Sequence, residues 1–316
     1  MKQLIITGDD FGYSRTMNEG IIYAFREGFL TSASLMPCGF AFEQAVEMAR
    51  RTPGLSVGVH LSLLQAQAVL PHSEIPLLTD ADGNLHSGPF LFGLKLFLVP
   101  GIRRQVEREL RAQMAKFLAT GLRPSHINTH MHFHAHPVVF PIIAQLGREH
   151  GIQFLRVPHE DLYTHMLIDH RFFARKLVRG LFFQVLSIGL RAKLERAGFR
   201  SPQAIYGLLQ TGHMDEHYLT QVLRQLKEGV TEIYFHPGSD EDPVLRRWQP
   251  DYNHASETAA LLSPRLMELL GQLGIRLTRF EDVIQPQGTA PAETATGGRP
   301  APLLVSTFLK QENRQS

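Results

Sequence analysis

The sequence predicts an α/β fold in which parallel strands alternate with helices. Short apolar runs of strand length alternate with longer segments of helical periodicity, and several helical segments end at glycine, a residue that commonly terminates a helix. Strand–helix–strand repetition favours a parallel sheet, either doubly wound or closed as a (β/α) barrel. In both architectures the functional residues gather at the carboxyl ends of the strands.

The elements alternate along most of the chain. The predicted strands cover residues 3–8, 55–63, 125–130, 153–158, 231–237 and 275–280. The predicted helices cover residues 17–29, 42–51, 102–121, 137–151, 216–229 and 263–274. No fixed-period repeat is present in the sequence. No apolar run reaches the roughly 18 residues that a membrane-spanning helix needs.

Length and composition limit the classes of function. The chain has 316 residues, and because α/β barrels of roughly 200–250 residues are ordinary, residues 1–285 are expected to form one domain. The 32 basic and 30 acidic residues give a net charge of +2, which offers no electrostatic basis for binding nucleic acid. A single cysteine, Cys38, fits a reducing compartment, and the amino terminus lacks signal-peptide architecture. We therefore expect a cytoplasmic protein.

Three segments do not fit a minimal barrel. Residues 286–316 are rich in Pro, Gly, Ala and Thr and are predicted to be a disordered tail. Residues 89–101 and 170–198 are apolar insertions flanked by Arg and Lys. They are either buried helices or a homodimer contact, or they form an amphipathic lid that covers a lipid-bearing substrate or docks at a membrane surface. In the second case the protein would lie peripherally at the inner membrane surface.

Residues with metal-binding or catalytic chemistry follow the predicted strands. Asp9 and Asp10 end the first strand in GDDFG, His60 lies late in the second, and His236 ends TEIYFHPG. The segment SHINTHMHFHAH contains five of the sixteen histidines, namely His126, His130, His132, His134 and His136. Because the carboxyl ends of parallel strands meet at one rim, these side chains can converge.

Two adjacent carboxylates at the end of a buried strand indicate a nearby cation. Burying an unpaired charge costs several kcal/mol, and like charges repel. One carboxylate with two imidazoles forms a sound ligand set for a divalent metal, with positions left open for water and substrate. The second carboxylate would then stay ionised and free to act as a base. Taken singly, each signal also has a structural interpretation, such as a buried core histidine at His60.

The motifs in combination resemble the YdjC-like carbohydrate deacetylase family. They are GDDFG, NEGI (18–21), LTSASLMPCG (30–39), GVHLSL (58–63), HINTHMHFHAHP (126–137) and EIYFHPG (232–238). GREHG (147–151) and LRVPHE (155–160) are most similar to the branch associated with hopanoid biosynthesis. The resemblance runs from residue 1 to 285. It implies a distorted, TIM-like (β/α) barrel, with seven strands as one option, that uses one divalent metal ion to deacetylate an N-acetylated sugar.

The resemblance also assigns roles to residues. Carried over position by position, Asp10, His60 and His130 match the metal ligands of the family, and Asp9 matches its catalytic base. One departure is Asn128, where much of the wider family carries Asp. If that carboxylate is an outer partner of a ligand, its absence would weaken metal affinity. The hopanoid-associated branch also resembles this chain in carrying Asn there.

Other roles rest on the residues themselves. We predict that His236 protonates the departing nitrogen, because histidine titrates near neutral pH and HPG fixes it at a strand end. A structural histidine is the alternative. Arg156 either pairs with a site carboxylate and tunes its pKa or has a structural or surface role. His126, His132 and His134 are each open to an outer-partner, substrate-contact or packing role.

The leading prediction is a metal-dependent N-deacetylase acting on N-acetylglucosamine carried by a hopanoid-type glycolipid. Mg or Zn is the expected ion, although Mn, Co and Ni also tolerate the ligand set. One alternative is a deacetylase of soluble chitooligosaccharides, against which the apolar insertions argue. Another is a non-haem iron oxygenase with the same ligands, but the second aspartate is better explained by hydrolysis. A metal-stabilised carbohydrate-binding module would leave Asp9 and His236 without a role.

Overall fold

A parallel β-sheet forms the centre of the molecule. The structure is a computed structural model, and it describes residues 1–86, 88–168 and 173–283, without the side chains at 173 and 175. The strands of the sheet are β1 (Lys2–Phe11), β2 (Ser32–Leu35), β3 (Ser56–Leu61), β4 (His126–Thr129), β5 (Phe154–Leu155), β6 (Ala204–Tyr206), β7 (Gly229–Phe235) and β8 (Arg276–Leu277). The strand order is β5–β4–β3–β2–β1–β7–β6, and β8 pairs with β1 beside this path. All pairings between these strands are parallel.

The two edges of the sheet approach each other. The Leu155 N–H donates to the Arg200 carbonyl at 3.0 Å, and the Arg200 N–H donates to the Gln153 carbonyl at 2.8 Å. A parallel bridge also joins Phe154 to Arg200, shortly before β6. The sheet therefore curls on itself, and the predicted distorted (β/α) barrel is confirmed, with seven strands along the main path.

Helices follow the strands and pack against the sheet, as α1 does on β1 and α4 on β3. They are α1 (Arg15–Glu27), α2 (Phe42–Arg50), α3 (Pro89–Leu98), α4 (Ile102–Leu118), α5 (Phe140–Glu149), α6 (Leu162–Ile168), α7 (Phe173–Arg196), α8 (Glu216–Gln225), α9 (Pro243–Trp248), α10 (His254–Leu261) and α11 (Pro264–Gln272). Side chains cap several of them. Ser14 accepts from the Met17 N–H and Asp215 from the Tyr218 N–H, which satisfies donors left unpaired by the first helical turn.

The strand β1 is buried on both faces. Leu4 and Ile6 belong to the large core shared with the helices, whereas Ile5 packs with Phe154 and Phe280 in a separate cluster. At Gly8 a Cβ would lie 2.7 Å from the Ile21 side chain of α1, so glycine permits this close approach. The alternation assigns even-numbered positions to the helix side and odd-numbered ones to the inside of the barrel.

The six predicted helices are confirmed to within a few residues, and so are most of the strands. Two short strands were not predicted, β2 and β6, and the predicted strands at 153–158 and 275–280 pair over only two residues each. The insertions form α3 and α7. No helix in the described part of the chain is long and apolar enough to cross a bilayer. The predicted tail at 286–316 and residues 170–172 of the second insertion lie outside the described residues.

Candidate active site

The end of β1 directs two neighbouring aspartates into one site. Regular alternation would point Asp9 and Asp10 to opposite faces of the sheet. Asp10 instead has a φ of 59°, and the pairing between β1 and β2 shifts register between Gly8 and Phe11. The irregularity breaks the alternation, so both carboxylates are buried among the same group of residues.

Asp10, His60 and His130 form one cluster. The Oδ1 atom of Asp10 lies 3.0 Å from Nε2 of His60 and 2.8 Å from Nδ1 of His130. One candidate ligand atom from each residue lies within 4.8 Å of the other two, and all three residues are buried. The structure thus brings together the three side chains that the sequence resemblance assigned as metal ligands.

The chemistry of this cluster fits a divalent metal ion. Burial would raise the pKa of Asp10, but its two histidine partners outweigh burial and hold the pKa well below its usual value, so the carboxylate is ionised. Two imidazoles with one carboxylate suit zinc and related ions and leave other coordination positions open. The ring atom of His60 that faces away from Asp10, Nδ1, lies 2.7 Å from the Asn128 carboxamide. Such an outer partner fixes the tautomer of a metal-binding histidine.

Two glutamines that the sequence did not indicate lie against the cluster. Gln249 donates from Nε2 to Asp10 Oδ2 at 2.7 Å, while its Oε1 atom is buried without a hydrogen-bond partner among the described residues. Gln65 places Oε1 at 3.2 Å from His130 Nε2. Its backbone is held by Tyr13, whose hydroxyl donates to the Gln65 carbonyl at 2.7 Å. The cluster is therefore enclosed by amide side chains from two distant loops.

Backbone strain is concentrated at this cluster. Among the described residues, the non-glycine positions with positive φ are Asp10, Gln65, Met131 and His132, at 54° to 59°. The left-handed conformation costs such residues roughly 1–2 kcal/mol each. Asp10 is a ligand candidate, Gln65 contacts His130, and Met131 and His132 directly follow His130 in the chain. Strain of this kind persists where the surrounding structure enforces it, most often at functional sites.

Asp9 belongs to a second group, a buried ion-pair network. Arg156 donates from Nη1 and Nη2 to the two oxygens of Asp9 at 2.5 and 2.9 Å. The same guanidinium donates to Glu232 from Nε at 3.1 Å and from Nη2 at 2.5 Å. Burial would raise the pKa of Asp9, but Arg156 outweighs burial and the pKa lies well below its usual range. Of the two sequence-based interpretations of Arg156, the pairing with a site carboxylate is confirmed.

His236 stands at the end of β7 and shares a strand face with Glu232, since positions four apart point the same way. Its Nδ1 atom lies 3.8 Å from Oε2 of Glu257 in α10, and the same oxygen accepts from the His236 backbone N–H at 2.5 Å. Burial lowers the pKa of His236, but Glu257 and the site aspartates outweigh this effect, and the net pKa is raised. The residue therefore holds a proton more readily than a free histidine does.

The other histidines of the segment lie outside the cluster. His126 packs beneath it, with Nε2 at 2.9 Å from Ser34 Oγ and its ring stacked on Phe280 at 4.0 Å between centroids. The remaining contacts are His132 Nε2 to Tyr234 Oη at 2.9 Å, His134 Nδ1 to Thr129 Oγ1 at 2.9 Å, and the His136 ring to the Phe97 ring at 4.6 Å. His126 and His134 are both buried and contact Ser34 and Thr129, which are not members of the cluster.

Comparisons with known proteins describe what the chain is similar to. The profile of a family described as "YdjC-like protein" matches residues 3–272. A carbohydrate deacetylase of Brevibacillus brevis is 42% identical over 150 residues, which covers 48% of this chain and 57% of that protein. A chitooligosaccharide deacetylase of Yersinia pestis is 29% identical over 289 residues, which covers 89% of this chain and 99% of that protein.

A solved structure agrees with the fold. It is a protein of Enterococcus faecalis, provisionally named as a cellobiose-phosphate cleavage protein, and is 27% identical to this chain. The two superimpose with a TM-score of 0.69, over 89% of this chain and 98% of that one. The fold is thus shared over nearly the whole length of that protein.

Proposed function

The chain belongs to the YdjC-like protein family, and from this premise we propose that it is a metal-dependent carbohydrate N-deacetylase. The observation that carries the proposal is the buried cluster of Asp10, His60 and His130 next to an aspartate, Asp9, held by an arginine. Amide hydrolysis needs a polarised carbonyl, an activated water and an acid for the departing amine. The described residues offer a group for each task. The named relatives are deacetylases, which gives the oxygenase alternative no support.

Asp10, His60 and His130 would hold the ion. When bound, a divalent ion polarises the acetyl carbonyl and lowers the pKa of a water molecule. Because two of the three donors are imidazoles, we favour zinc or another transition ion over magnesium, which prefers oxygen ligands. The ion-pair network and His236 would then supply the proton transfers.

Asp9 is the proposed base for the attacking water. Its carboxylate is ionised at any physiological pH, although a carboxylate bound twice by Arg156 is only a weak base. Glu232 offsets that weakness, because Arg156 lies between two carboxylates and stays paired when Asp9 accepts a proton. We therefore assign Arg156 and Glu232 as positioning residues for Asp9.

His236 is the proposed acid for the departing nitrogen. Its raised pKa keeps a proton available near neutral pH, and the Glu257 carboxylate stabilises the imidazolium form. Glu257 also fixes the backbone by accepting from the His236 N–H at 2.5 Å, and His254 Nδ1 lies 2.7 Å from the His236 carbonyl oxygen. The backbone N–H and the carbonyl of His236 are thus both bound, which fixes the residue at the strand end.

We further propose that the acetylated sugar is carried by an apolar aglycone of the hopanoid type. The support is the position of the two insertions, which lie against the segment that follows His130. Phe92 of α3 packs on Phe133 at 5.5 Å, and Phe183 of α7 packs on His132 at 5.8 Å between centroids. Both helices also expose apolar side chains, for which a soluble chitooligosaccharide offers no partner. The name of the Yersinia relative favours that soluble substrate as the second candidate.

Acetate release tests the proposal. The metal-loaded and chelator-treated proteins are incubated with a lipid-linked N-acetylglucosamine and with chitobiose, and products are identified by mass spectrometry. We expect release that chelation abolishes and zinc restores, with kcat/KM higher for the lipid-linked sugar by ~30–150-fold, since apolar burial of the aglycone is partly offset by ordering. A preference for chitobiose would overturn the lipid substrate alone. No release from either sugar by a fully metal-loaded enzyme would overturn the deacetylase.

A further inference from the structure

We propose that the exposed apolar faces of α3 and α7, together called the apolar rim, form a docking surface for an anionic lipid bilayer. Such docking would hold the protein at a membrane surface, and it is independent of the chemistry of the site. The proposal rests on the polarity of the two helices, on their common location, and on the charge around them.

The helix α7 exposes an apolar stripe in addition to the apolar side that it buries. Val178, Leu181, Phe182, Val185 and Ile188 follow the helical pattern i, i+3, i+4, i+7 and i+10, so they form one stripe, and their exposed fractions range from 49% to 76%. The buried side is also largely apolar, with Leu190 and Leu194 in the large core, and it carries two polar groups that are paired. The Lys176 ammonium donates to Gln210 at 2.8 Å and the Ser187 hydroxyl donates to the Pro158 carbonyl at 2.9 Å. A surface helix of a soluble domain normally presents polar residues on the side that faces away from the core.

The helix α3 is apolar on nearly all sides. Phe92 and Leu96 are buried, and Lys95 is its only charged residue. The exposed apolar residues are Phe90, Leu91, Leu94, Phe97 and Leu98, at 47% to 81%. Contiguous exposed apolar surface of this kind marks an interaction site rather than ordinary protein surface.

The two helices lie against the same short segment, residues 130–136. From α3, Phe92 and Phe97 pack on Phe133 and His136, while from α7 Phe183 packs on His132. The segment begins with His130 of the Asp10 cluster. A flat layer that covered the rim would therefore lie next to the active-site end of the barrel, where a membrane-borne sugar would arrive.

The charged residues in and beside the rim are mainly basic, and this positive charge indicates which partner binds there. The sequence of α7 contains six basic residues, of which Lys176 lies on the buried side, and one acidic residue, Glu195. Exposed Lys95, Arg103 and Arg104 lie in or just after α3. Basic apolar helices partition into interfaces that carry anionic headgroups, with aromatic side chains at the boundary. A two-fold contact between copies would instead bring the same cations together across the interface. The occupant that fits is the anionic bilayer rather than a second copy of the chain.

Vesicle sedimentation of the full chain tests this surface without any turnover. We expect binding to vesicles that contain phosphatidylglycerol, at least about tenfold weaker binding to pure phosphatidylcholine, and weakening by salt. Phe182→Ser with Val185→Ser, and separately Leu94→Ser with Phe97→Ser, should each lower the partition coefficient by about 30-fold, because each pair removes apolar area from the interface. Tyr23→Ser, which alters a side chain of 53% exposure on α1, is the matched control and should bind like the wild type.

The outcomes separate the bilayer from a second copy. All variants should keep the wild-type melting temperature, since the changed side chains are exposed. The proposal is wrong if the wild type binds neither vesicle type and sediments as a dimer, while the Phe182→Ser, Val185→Ser variant sediments as a monomer. The rim would then be a homodimer interface. Equal binding of every variant would also overturn the proposal. Because no substrate is present, neither result depends on the proposed deacetylase activity.

Discussion

Asp9 and Asp10 are neighbours in the chain but have different partners, one an arginine and the other two histidines. Asp9→Asn should keep the metal and reduce kcat by about 10²–10⁴-fold, the usual effect of losing a general base. Asp10→Asn should lose metal affinity first, because it removes the charged donor of the cluster. Metal titration by calorimetry and acetate release distinguish the two. Normal metal binding and activity in both variants would contradict the division of roles.

Asn128 acts on the cluster through His60. If Nε2 of His60 binds an ion through its lone pair, the proton of the neutral ring is on Nδ1. That N–H then donates to Asn128 Oδ1, which lies 2.7 Å from Nδ1. In the opposite amide orientation Asn128 donates to Nδ1 and its oxygen accepts from Arg156 and Ser34. Asn128→Ala should weaken metal binding by about 10–100-fold, as loss of an outer partner does. Asn128→Asp, which can only accept, should bind at least as tightly as the wild type, and calorimetry without substrate measures both. Unchanged affinity in the alanine variant would remove Asn128 from the metal site.

At the scale of elements, the buried ring of His126 in β4 packs directly on the backbone of β3 at Gly58. A Cβ at Gly58 would lie 2.3 Å from the His126 ring, which explains a glycine in the middle of β3. Burial lowers the pKa of His126 well below its usual value, Arg156 and His60 lower it further, and Asp9 opposes them only in part. The folded protein thus keeps this histidine neutral where the unfolded chain would protonate it.

The stability of the fold should therefore fall as the pH drops below about 6.5, the usual pKa of histidine in an unfolded chain. Since the folded pKa is lowered, the unfolded state binds the extra proton, at about 1.4 kcal/mol per pH unit for one histidine. His126→Gln should reduce the slope of unfolding free energy against pH by about one proton between pH 6 and 5. Denaturant titrations at several pH values measure it, and an unchanged slope would show that His126 titrates normally.

Prediction from sequence succeeded where the signal is local. Six helices were found because an apolar stripe repeats along each of them, whereas α6, α9 and α10 were not predicted. The ends of recognisable strands marked Asp9, Asp10, His60 and the histidine segment as candidates, and the family resemblance then selected Asp10, His60 and His130 as ligands, an assignment that stays a prediction. β2 was missed since its SASL sequence lacks β-branched residues, and β6 because three residues show no period. Gln249 was out of reach, as its contact with Asp10 spans 239 positions of the chain. Glu232 had a signal that was not used, a carboxylate in the centre of an apolar strand.

At the scale of the whole molecule, the Asp10 cluster connects β1, β3 and the segment after β4. An ion bound there should stabilise the folded state by about 2.7 kcal/mol at a concentration 100 times its Kd. We expect zinc to raise the melting temperature of the chelator-treated protein and to leave that of His60→Ala unchanged. His136→Ala, a histidine of the same segment outside the cluster, should respond like the wild type. A zinc-dependent shift that survives in His60→Ala would show that the ion binds elsewhere.

The oligomeric state and the association with the hopanoid-associated branch stay predictions at this scale. The first rests on the exposed apolar faces of α3 and α7, and the second on the motifs GREHG (147–151) and LRVPHE (155–160). Sedimentation of the wild type with and without vesicles addresses the first. Comparison of lipid-linked and soluble sugars as substrates addresses the second.

The ion-pair network beside the cluster has a consequence for the kind of ion the interior can accept. Asp9, Asp10 and Glu232 contribute three negative charges, Arg156 contributes one positive charge, and the His236 imidazolium and the Glu257 carboxylate cancel each other, all of them buried. The sum is −2, so a divalent cation brings this interior to neutrality. A monovalent ion would leave a deficit and a trivalent ion an excess, either of which is expensive in a medium of low dielectric constant. Valence, and not only the choice of ligands, therefore discriminates among the ions that reach the barrel.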